Sequence, residues 1–451
     1  MSLKLPDKGQ WVFIGLVMCL VTYYTGSVAV YFLNGKTPLY IWKNFDSMLL
    51  WRIITESNIR TDIRLTAIPS LLSGMVSSLI VPVFIIWQLN KTDVALYGDA
   101  KFACDNDLRK SKLLKWEKEN DTDILVGAYK GKYLWYTAPD FVSLGAGTRA
   151  GKGAAIGIPN LLVRKHSLIA LDPKQELWKI TSKVREILLG NKVYLLDPFN
   201  SKTHQFNPLF YIDLKAESGA KDLLKLIEIL FPSYGMTGAE AHFNNLAGQY
   251  WTGLAKLLHF FINYEPSWLN EFGLKPVFSI GSVVDLYSNI DRELILSKRE
   301  ELEGTNGLDE NALYHLRDAL TKIREYHETE DEQRSSIDGS FRKKMSLFYL
   351  PTVRKCTDGN DFDLRQLRRE DITVYVGVNA EDISLAYDFL NLFFNFVVEV
   401  TLRENPDFDP TLKHDCLMFL DEFPSIGYMP IIKKGSGYIA GFKLKLLTIY
   451  Q

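Results

Sequence analysis

Two stretches near the start of the chain contain no charged residue, residues 9–35 and residues 65–90. Each exceeds the roughly 20 apolar residues a helix needs to cross a bilayer. The pattern therefore predicts two membrane-spanning helices, at about 11–33 and 66–88, within an anchor comprising residues 1–90. The first stretch, WVFIGLVMCLVTYYTGSVAVYFL, is too long, and too bulky at its end, for a cleaved signal peptide. The second contains Pro69, Gly74 and Pro82, which lipid-embedded helices tolerate better than soluble ones. Tyr23, Tyr24, Trp42 and Trp51 suit a membrane–water interface. The competing reading of the same pattern is a pair of buried core helices.

From about residue 95 the pattern changes to short apolar runs alternating with amphipathic segments. DFVSLGA, SLIALDPK and KVYLLDPF read as strands, and ELWKITSKVREILLG reads as a helix ending at Gly190. Strands resume with ITVYVGV, CLMFLDE and KLKLLTIYQ. Strand–helix alternation of this kind predicts an α/β fold with a mostly parallel sheet covered by helices. Between residues 216 and 368 no strand pattern stands out. AKDLLKLIEILF places Ala220, Leu223, Leu224, Ile227 and Phe231 on one helical face, and EAHFNNLAGQYWTGLAKLLHFFINY and NALYHLRDALTKIREY are longer helices. This block reads as an all-α insertion that splits the α/β domain into residues 91–215 and 369–451. REYHETEDEQR, mixed in sign, reads as a solvated helix end.

Charge narrows the class of partner. The chain carries a net −2; residues 1–90 hold seven Lys/Arg and four Asp/Glu, a net +3, so the remainder carries −5. Affinity for DNA comes largely from neutralising phosphates, so the soluble part is not a general DNA binder, although a local basic channel can still carry a strand. RKSKLLKWEK and GSFRKKM are candidate contact patches, although their charge is better read as solvated surface or a membrane-facing base. Cys19, Cys104, Cys356 and Cys416 are too scattered for a disulfide framework or a paired zinc motif. The seven histidines form neither H-x3-H nor H-E-x-x-H and read as structural or surface residues.

The chemistry concentrates in FVSLGAGTRAGKGAAIGIPNLL. Glycines let backbone N–H groups turn in around an anion, the start of a helix adds partial positive charge, and a lysine reaches the outer phosphates. Gly145, Gly147, Gly151 and Gly153 with Lys152 meet that description between a strand and a helix. Ala146, Gly147, Thr148, Arg149, Ala150, Gly151, Lys152 and Gly153 are the candidate phosphate-binding residues. The stretch departs from the usual G-x4-G-K-[ST] pattern at Ala146 and at Gly153, and taken alone it is equally a glycine-rich turn. Pro159 interrupts the following helix, since proline inside a helix costs about 3 kcal/mol. CLMFLDE adds the second element: a buried strand delivering Asp421 and Glu422 at its C-terminal end, where ligands bind in parallel sheets. Together the two predict an ATP site, with Asp421 holding hydrated magnesium and Glu422 orienting or deprotonating water. Gln451 is either a sensor of the terminal phosphate or an ordinary polar strand end. An ATP site beyond residue 91 places both termini in the cytoplasm, an orientation that the lysines and arginines near the spans leave open.

In order along the chain, LYGDAKFA, GTRAGKGAAIGIPNLL, LDPKQE, LLDPFN followed by FNPL, DLRQLRREDITVYVGV and MFLDEFPSIG resemble the type IV coupling proteins, the TraG-type ATPases of conjugation and type IV secretion. The resemblance covers nearly the whole chain. It implies a RecA-like P-loop NTPase core with an all-α, substrate-facing insertion and two N-terminal transmembrane helices. It also implies a bacterial inner-membrane location with most of the chain cytoplasmic, and a homo-hexameric ring. The family passes relaxase–DNA complexes or effector proteins to the secretion channel. In that family alanine at the motif's first position and glycine after the lysine are common. Lys152, Asp421, Glu422 and Gln451 correspond to the phosphate lysine, the magnesium aspartate, the catalytic glutamate and the sensor. Gln175 stands where the family usually has glycine. Relatives continue beyond the glutamine strand, so the expectation is a chain shortened after Gln451, with an unpaired sheet edge and without an arginine supplied across the ring. Two alternatives accompany the motor reading: an FtsK-like DNA translocase, and a non-hydrolysing platform that docks cargo.

Overall fold

The structure, a computed structural model, describes residues 8–56, 61, 65, 69, 103–147 and 150–450. The predicted second span at 66–88, Thr148, Arg149 and Gln451 therefore lie outside the described residues, Pro69 apart. The chain divides into two compact units, Met1–Phe102 and Ala103–Gln451.

In the first unit the helix Lys8–Leu33 covers the first uncharged stretch. Its second half carries Thr22, Tyr23, Tyr24, Thr25 and Ser27, and among the described residues no helix is long and apolar enough to cross a membrane. Thr37 caps the next helix, Pro38–Asn44, whose proline sits in the first turn, where its missing N–H is not needed. Tyr31 donates its hydroxyl proton to the Asn44 carbonyl at 2.9 Å and accepts from the Asp46 N–H, folding the connection back on the first helix.

The second unit begins with a small antiparallel sheet of β1 (Leu114–Lys115), β2 (Ile124–Tyr129) and β3 (Lys132–Tyr136), in the order β1-β3-β2. Lys130 and Gly131, at φ 51° and 76°, form the tight connection whose positive dihedrals match the twist of a hairpin. The sequence pattern does not predict this sheet, because its strands are only partly buried.

The main sheet has six parallel strands: β4 (Val142–Gly145), β5 (Leu168–Leu171), β6 (Lys192–Leu196), β7 (Ile372–Val376), β8 (Cys416–Leu420) and β9 (Leu444–Tyr450), in the order β4-β9-β8-β5-β7-β6. All six were expected from the apolar runs. Every residue of β5, β7 and β8 is buried, as in a sheet covered on both faces. Alternate residues serve opposite layers. Ile169, Leu171, Val374, Met418 and Leu420 pack with Phe389, Phe393 and Val397 of the helix Tyr387–Leu402. Leu168, Ala170, Tyr375, Leu417 and Phe419 pack with Leu161 and Leu177 of the helices Ile158–Val163 and Glu176–Ile187. β9 is paired on both sides, so among the described residues the sheet's two edges are β4 and β6 and not β9.

Arg185 fastens the second layer to the sheet. It is fully buried, donating to the carbonyls of Leu161, Arg164 and His166, to Asn191 Oδ1 and to Thr373 Oγ1. Burial pulls its pKa down to about 10.

Among the described residues no strand lies between β6 and β7, and that interval holds the helices Gly219–Leu230 through Pro351–Thr357. The helix Gly238–Asn263 is the centre of this block, burying Tyr250, Trp251, Leu254 and Phe261. Tyr250 stacks on Tyr326 at 3.7 Å between ring centroids. One predicted face is rotated. The helix Gly219–Leu230 buries Gly219, Asp222, Leu223, Leu226 and Leu230, whereas Leu224 is 59% exposed and Ala220 and Ile227 lie on the flank. The apolar arc of this helix, from Leu226 round to Leu224, is wider than the strip that is buried, so periodicity alone does not fix which part of that arc faces the core. The segment REYHETEDEQR forms a tight corner between the helices Glu310–His327 and Asp331–Met345, held by Arg334 donating to the His327 carbonyl.

Candidate nucleotide-binding cleft

The registers set which strand ends meet. Leu171 pairs with Leu420, so Asp172 and Asp421 leave adjacent strands side by side. Gly145 pairs with Tyr450, and the Ala146 N–H donates to the Tyr450 carbonyl, which pins the start of the glycine loop to the end of β9. β9 thus separates the loop strand from the acid strand, and Gln451 follows Tyr450 outside the described residues.

The loop turns through Gly147 and Ala150, whose N–H donates to the Gly147 carbonyl at 3.3 Å, and through Gly151 at φ 78°, a left-handed conformation that favours glycine. The helix then starts at Lys152 as a wide π-turn, Gly153–Gly157, with the Ile158 N–H bonding back to the Gly153 carbonyl. Pro159 lies just beyond. Its ring displaces the carbonyl four residues back and its nitrogen gives no proton, which is why the interruption expected there takes the form of a π-turn. A Cβ on Gly157 would come 2.9 Å from the Phe419 ring, so glycine lets this helix lie close on β8.

A cleft of about 400 Å³ opens here, lined by Lys152, Gly153, Asp172, Lys174, Glu176 and Asp421 among others. Lys152 and Asp421, distant in the chain, therefore meet in one space. The Lys152 ammonium donates to the Ala146 carbonyl at 3.1 Å across the loop. Burial raises the Asp421 pKa, and the Lys152 ammonium works against the rise. The Asp172 pKa is also raised by burial, opposed by the N–H groups at the start of the helix Glu176–Ile187, with Asp421 adding repulsion. Asp172 Oδ2 accepts from the Trp178 N–H at 2.8 Å and so tethers that helix start.

Of the other predicted residues, Ala150, Gly151 and Gly153 line the cleft, and Ala146 and Gly147 form its entrance turn. Glu422 is not among the lining residues; at φ 61° and ψ 48° it opens the 3-10 turn Phe423–Ile426. Sequence reasoning did not single out Asp172, Lys174 or Glu176 as site residues. The signal was present, since LIALD repeats the form of LMFLD, an apolar strand running into an aspartate. Gln175 adopts the left-handed conformation, φ 53° and ψ 24°, that glycine fills without strain. Its amide donates to Asp197 Oδ2 at 2.8 Å and to the Gly377 carbonyl at 3.1 Å, which holds the loop in that shape.

The fold and cleft define an α/β chain with a glycine–lysine loop and an acid-tipped strand at the C-terminal rim of a parallel sheet. Residues 101–451 match the family described as "Type IV secretory system Conjugative DNA transfer", and the chain belongs to that family, the type IV coupling proteins. It is 24% identical over 476 aligned residues to the conjugal transfer protein TraG of Escherichia coli, covering 100% of this chain and 72% of that protein. It is 28% identical over 324 residues to the protein VirD4 of Rhizobium radiobacter, covering 71% of this chain but 43% of that one. A second E. coli TraG matches at 25% identity with 58% of its length covered, so the chain spans little more than half, or less, of some relatives. The solved coupling protein TrwB in its unbound monoclinic form resembles the chain with a TM-score of 0.45 and 14% identity, over 69% of this chain and 62% of that one. TrwB in complex with ADP and Mg2+ gives 0.43 and 15%, over 69% and 63%.

Proposed function

We propose that this chain is a membrane-anchored ATPase that couples a conjugative DNA–protein complex, or an effector protein, to a type IV secretion channel. The observation that carries the nucleotide part is the convergence of Lys152 and Asp421 on one cleft at the C-terminal rim of the sheet. In this reading the Lys152 ammonium exchanges the Ala146 carbonyl for β- and γ-phosphate oxygens. The N–H groups of Gly151, Lys152 and Gly153 turn toward the phosphates, at a helix start whose partial charge favours anions. Asp421, with Asp172 beside it, offers hard oxygen ligands that fit magnesium, which keeps several waters and needs few protein groups. The ion, when bound, neutralises charge developing on the phosphates. Glu422 is assigned the proton of the attacking water, and Gln451 the sensing of the terminal phosphate. TrwB structures hold an ATP analogue and ADP with Mg2+, and the same ligands are proposed here.

The membrane anchor rests on the two uncharged stretches, the hexamer and the secretion-channel partners on the family resemblance. Carbonate extraction of cell membranes tests the anchor: release of the chain into the soluble fraction rules it out. The central test compares Mg·ATP binding and turnover of the parent chain with Asp421→Asn. Turnover by the parent, lost in Asp421→Asn, supports the motor; equal turnover in both refutes the magnesium role. A second reading, a platform that binds nucleotide without hydrolysing it, is favoured by Glu422 standing outside the cleft lining. Tight binding with no turnover in the parent selects it.

A further inference from the structure

The end of the sheet opposite the cleft holds a second cluster. His166 precedes β5, Asp371 precedes β7 and His414 precedes β8, three strands that lie side by side. One donor atom from each lies within 4.8 Å of the others. Asp371 Oδ1 is 2.6 Å from His414 Nδ1, yet neither atom takes part in a hydrogen bond and both are shut off from solvent. The two stand at ion-pair distance without hydrogen-bond geometry, so these buried atoms are left with capacity for a third partner. A tetrahedral zinc ion, with ligands at about 2.0–2.2 Å, holds its donor atoms roughly 3.4 Å apart. The observed spread brackets that value.

The surroundings match those of a metal-binding imidazole. Ligating histidines commonly give their second ring N–H to a carboxylate, which fixes the tautomer and frees the other nitrogen. His166 Nε2 lies 3.4 Å from Asp121 Oδ2, and the Nδ1 lone pair meets the Asp415 N–H at a long 3.3 Å, a contact it exchanges for the ion on binding. Asp415 Oδ2 lies 3.9 Å from His166 Nδ1, close enough to serve as a fourth ligand. Asp121, Asp371 and Asp415 bring carboxylates, set against the Lys118 ammonium paired with Asp121, the Arg164 guanidinium donating to the Asp121 carbonyl, and Lys443 and Lys445 facing Asp415. The two imidazoles stack at 4.7 Å with 17° between planes, so one ring turns about its side-chain bonds to bring its lone pair to the ion.

We propose that His166, Asp371 and His414 bind a zinc ion that clips together the N-terminal ends of three central strands. The strands between this cluster and the nucleotide cleft are four or five residues long, a separation of about 15 Å at roughly 3.3 Å per residue. The proposal is therefore independent of the nucleotide reading, and nucleotide binding reports separately on folding.

The test uses the untagged full chain, stripped with EDTA and returned to metal-free buffer. Zinc is titrated against a chromogenic chelator, and cobalt is added in parallel for its visible absorption. The expected result is one equivalent of zinc per chain and a cobalt spectrum of four-coordinate intensity. Asp371→Asn and His414→Gln weaken zinc at least about 10-fold, and Asp121→Asn, which alters an outer contact, weakens it about 10-fold. Circular dichroism of each variant stays that of the parent. A parent chain that takes up no stoichiometric zinc, or variants that bind it as tightly as the parent, overturns the proposal. If the variants fail to fold, the cobalt spectrum of the parent decides alone.

Discussion

Replacing Lys152 by alanine separates what this side chain does for the fold from what it does for a ligand. Lys152 is half-buried, and its ammonium makes one hydrogen bond, to the Ala146 carbonyl, with no ion pair among the described residues. Losing one such bond at a water-accessible rim costs about 0.5–1 kcal/mol of stability at most. With a triphosphate bound, the same ammonium makes charge-assisted bonds of about 1.5–3 kcal/mol. At about 1.4 kcal/mol per decade, that predicts a loss of roughly 10- to 150-fold in affinity for Mg·ATP. A second effect adds to the first on acidification. The ammonium opposes the burial that raises the Asp421 pKa, so without it the carboxyl stays protonated to a higher pH. The assay is equilibrium titration with a fluorescent ATP analogue near neutral pH, with thermal melts of both proteins alongside. Affinities equal within twofold, with unchanged melting, would refute the phosphate role of Lys152 and with it the reading of the cleft.

Three further outcomes follow from the geometry. Arg185→Leu leaves the buried carbonyls of Leu161, Arg164 and His166 without their donor; at about 1–3 kcal/mol for each group the loss is at least about 3 kcal/mol in denaturant unfolding, and a change under 1 kcal/mol contradicts the clamp. Gln175→Ala keeps the left-handed backbone but loses both amide bonds and destabilises by about 1–2 kcal/mol, while Gln175→Gly, relieved of the strain, stays closer to the parent; the reverse order in chemical denaturation defeats the argument. Because burial raises the Asp421 pKa in the folded chain, the native state holds that proton more tightly than the unfolded one, and ionisation costs stability as pH rises through the window above the ordinary value of 3.8. Asp421→Asn without nucleotide is thus more stable than the parent at neutral pH, and the advantage fades on acidification; an advantage that grows toward acid pH has the wrong sign.

How much of this was legible in the sequence follows from what burial does to residue patterns. β5, β7 and β8 are covered on both faces, so they appear as apolar runs, and their exits at Asp172, Gly377 and Asp421 mark one rim. Lys152 and Asp421 could be assigned to that rim because one starts the helix after the loop that leaves β4 and the other directly follows β8. The order of strands could not be read, since nothing in KLKLLTIY states that it lies between β4 and β8. The small sheet of β1–β3 escaped because its strands are only partly buried and so lack a covered apolar run. On the expected face of Gly219–Leu230, Leu223 and Phe231 are buried and Ile227 packs against the core, whereas Leu224 was misplaced because it is as apolar as they are. His166, Asp371 and His414 are invisible as a group, since each comes from a different inter-strand loop and only the sheet brings them together.

The placement of β9 has a consequence for biosynthesis. Among the described strands, β4 is bonded to β9 alone, and Ser143 meets Thr448 across 305 residues of chain. A ribosome adding about 5–20 residues per second needs roughly 15–60 s to travel from one to the other. Throughout that interval the glycine loop emerges without the strand that anchors it, so the nascent polypeptide cannot yet grip a nucleotide. Competence waits for β9, which enters between β4 and β8 and joins the loop strand to the acid strand.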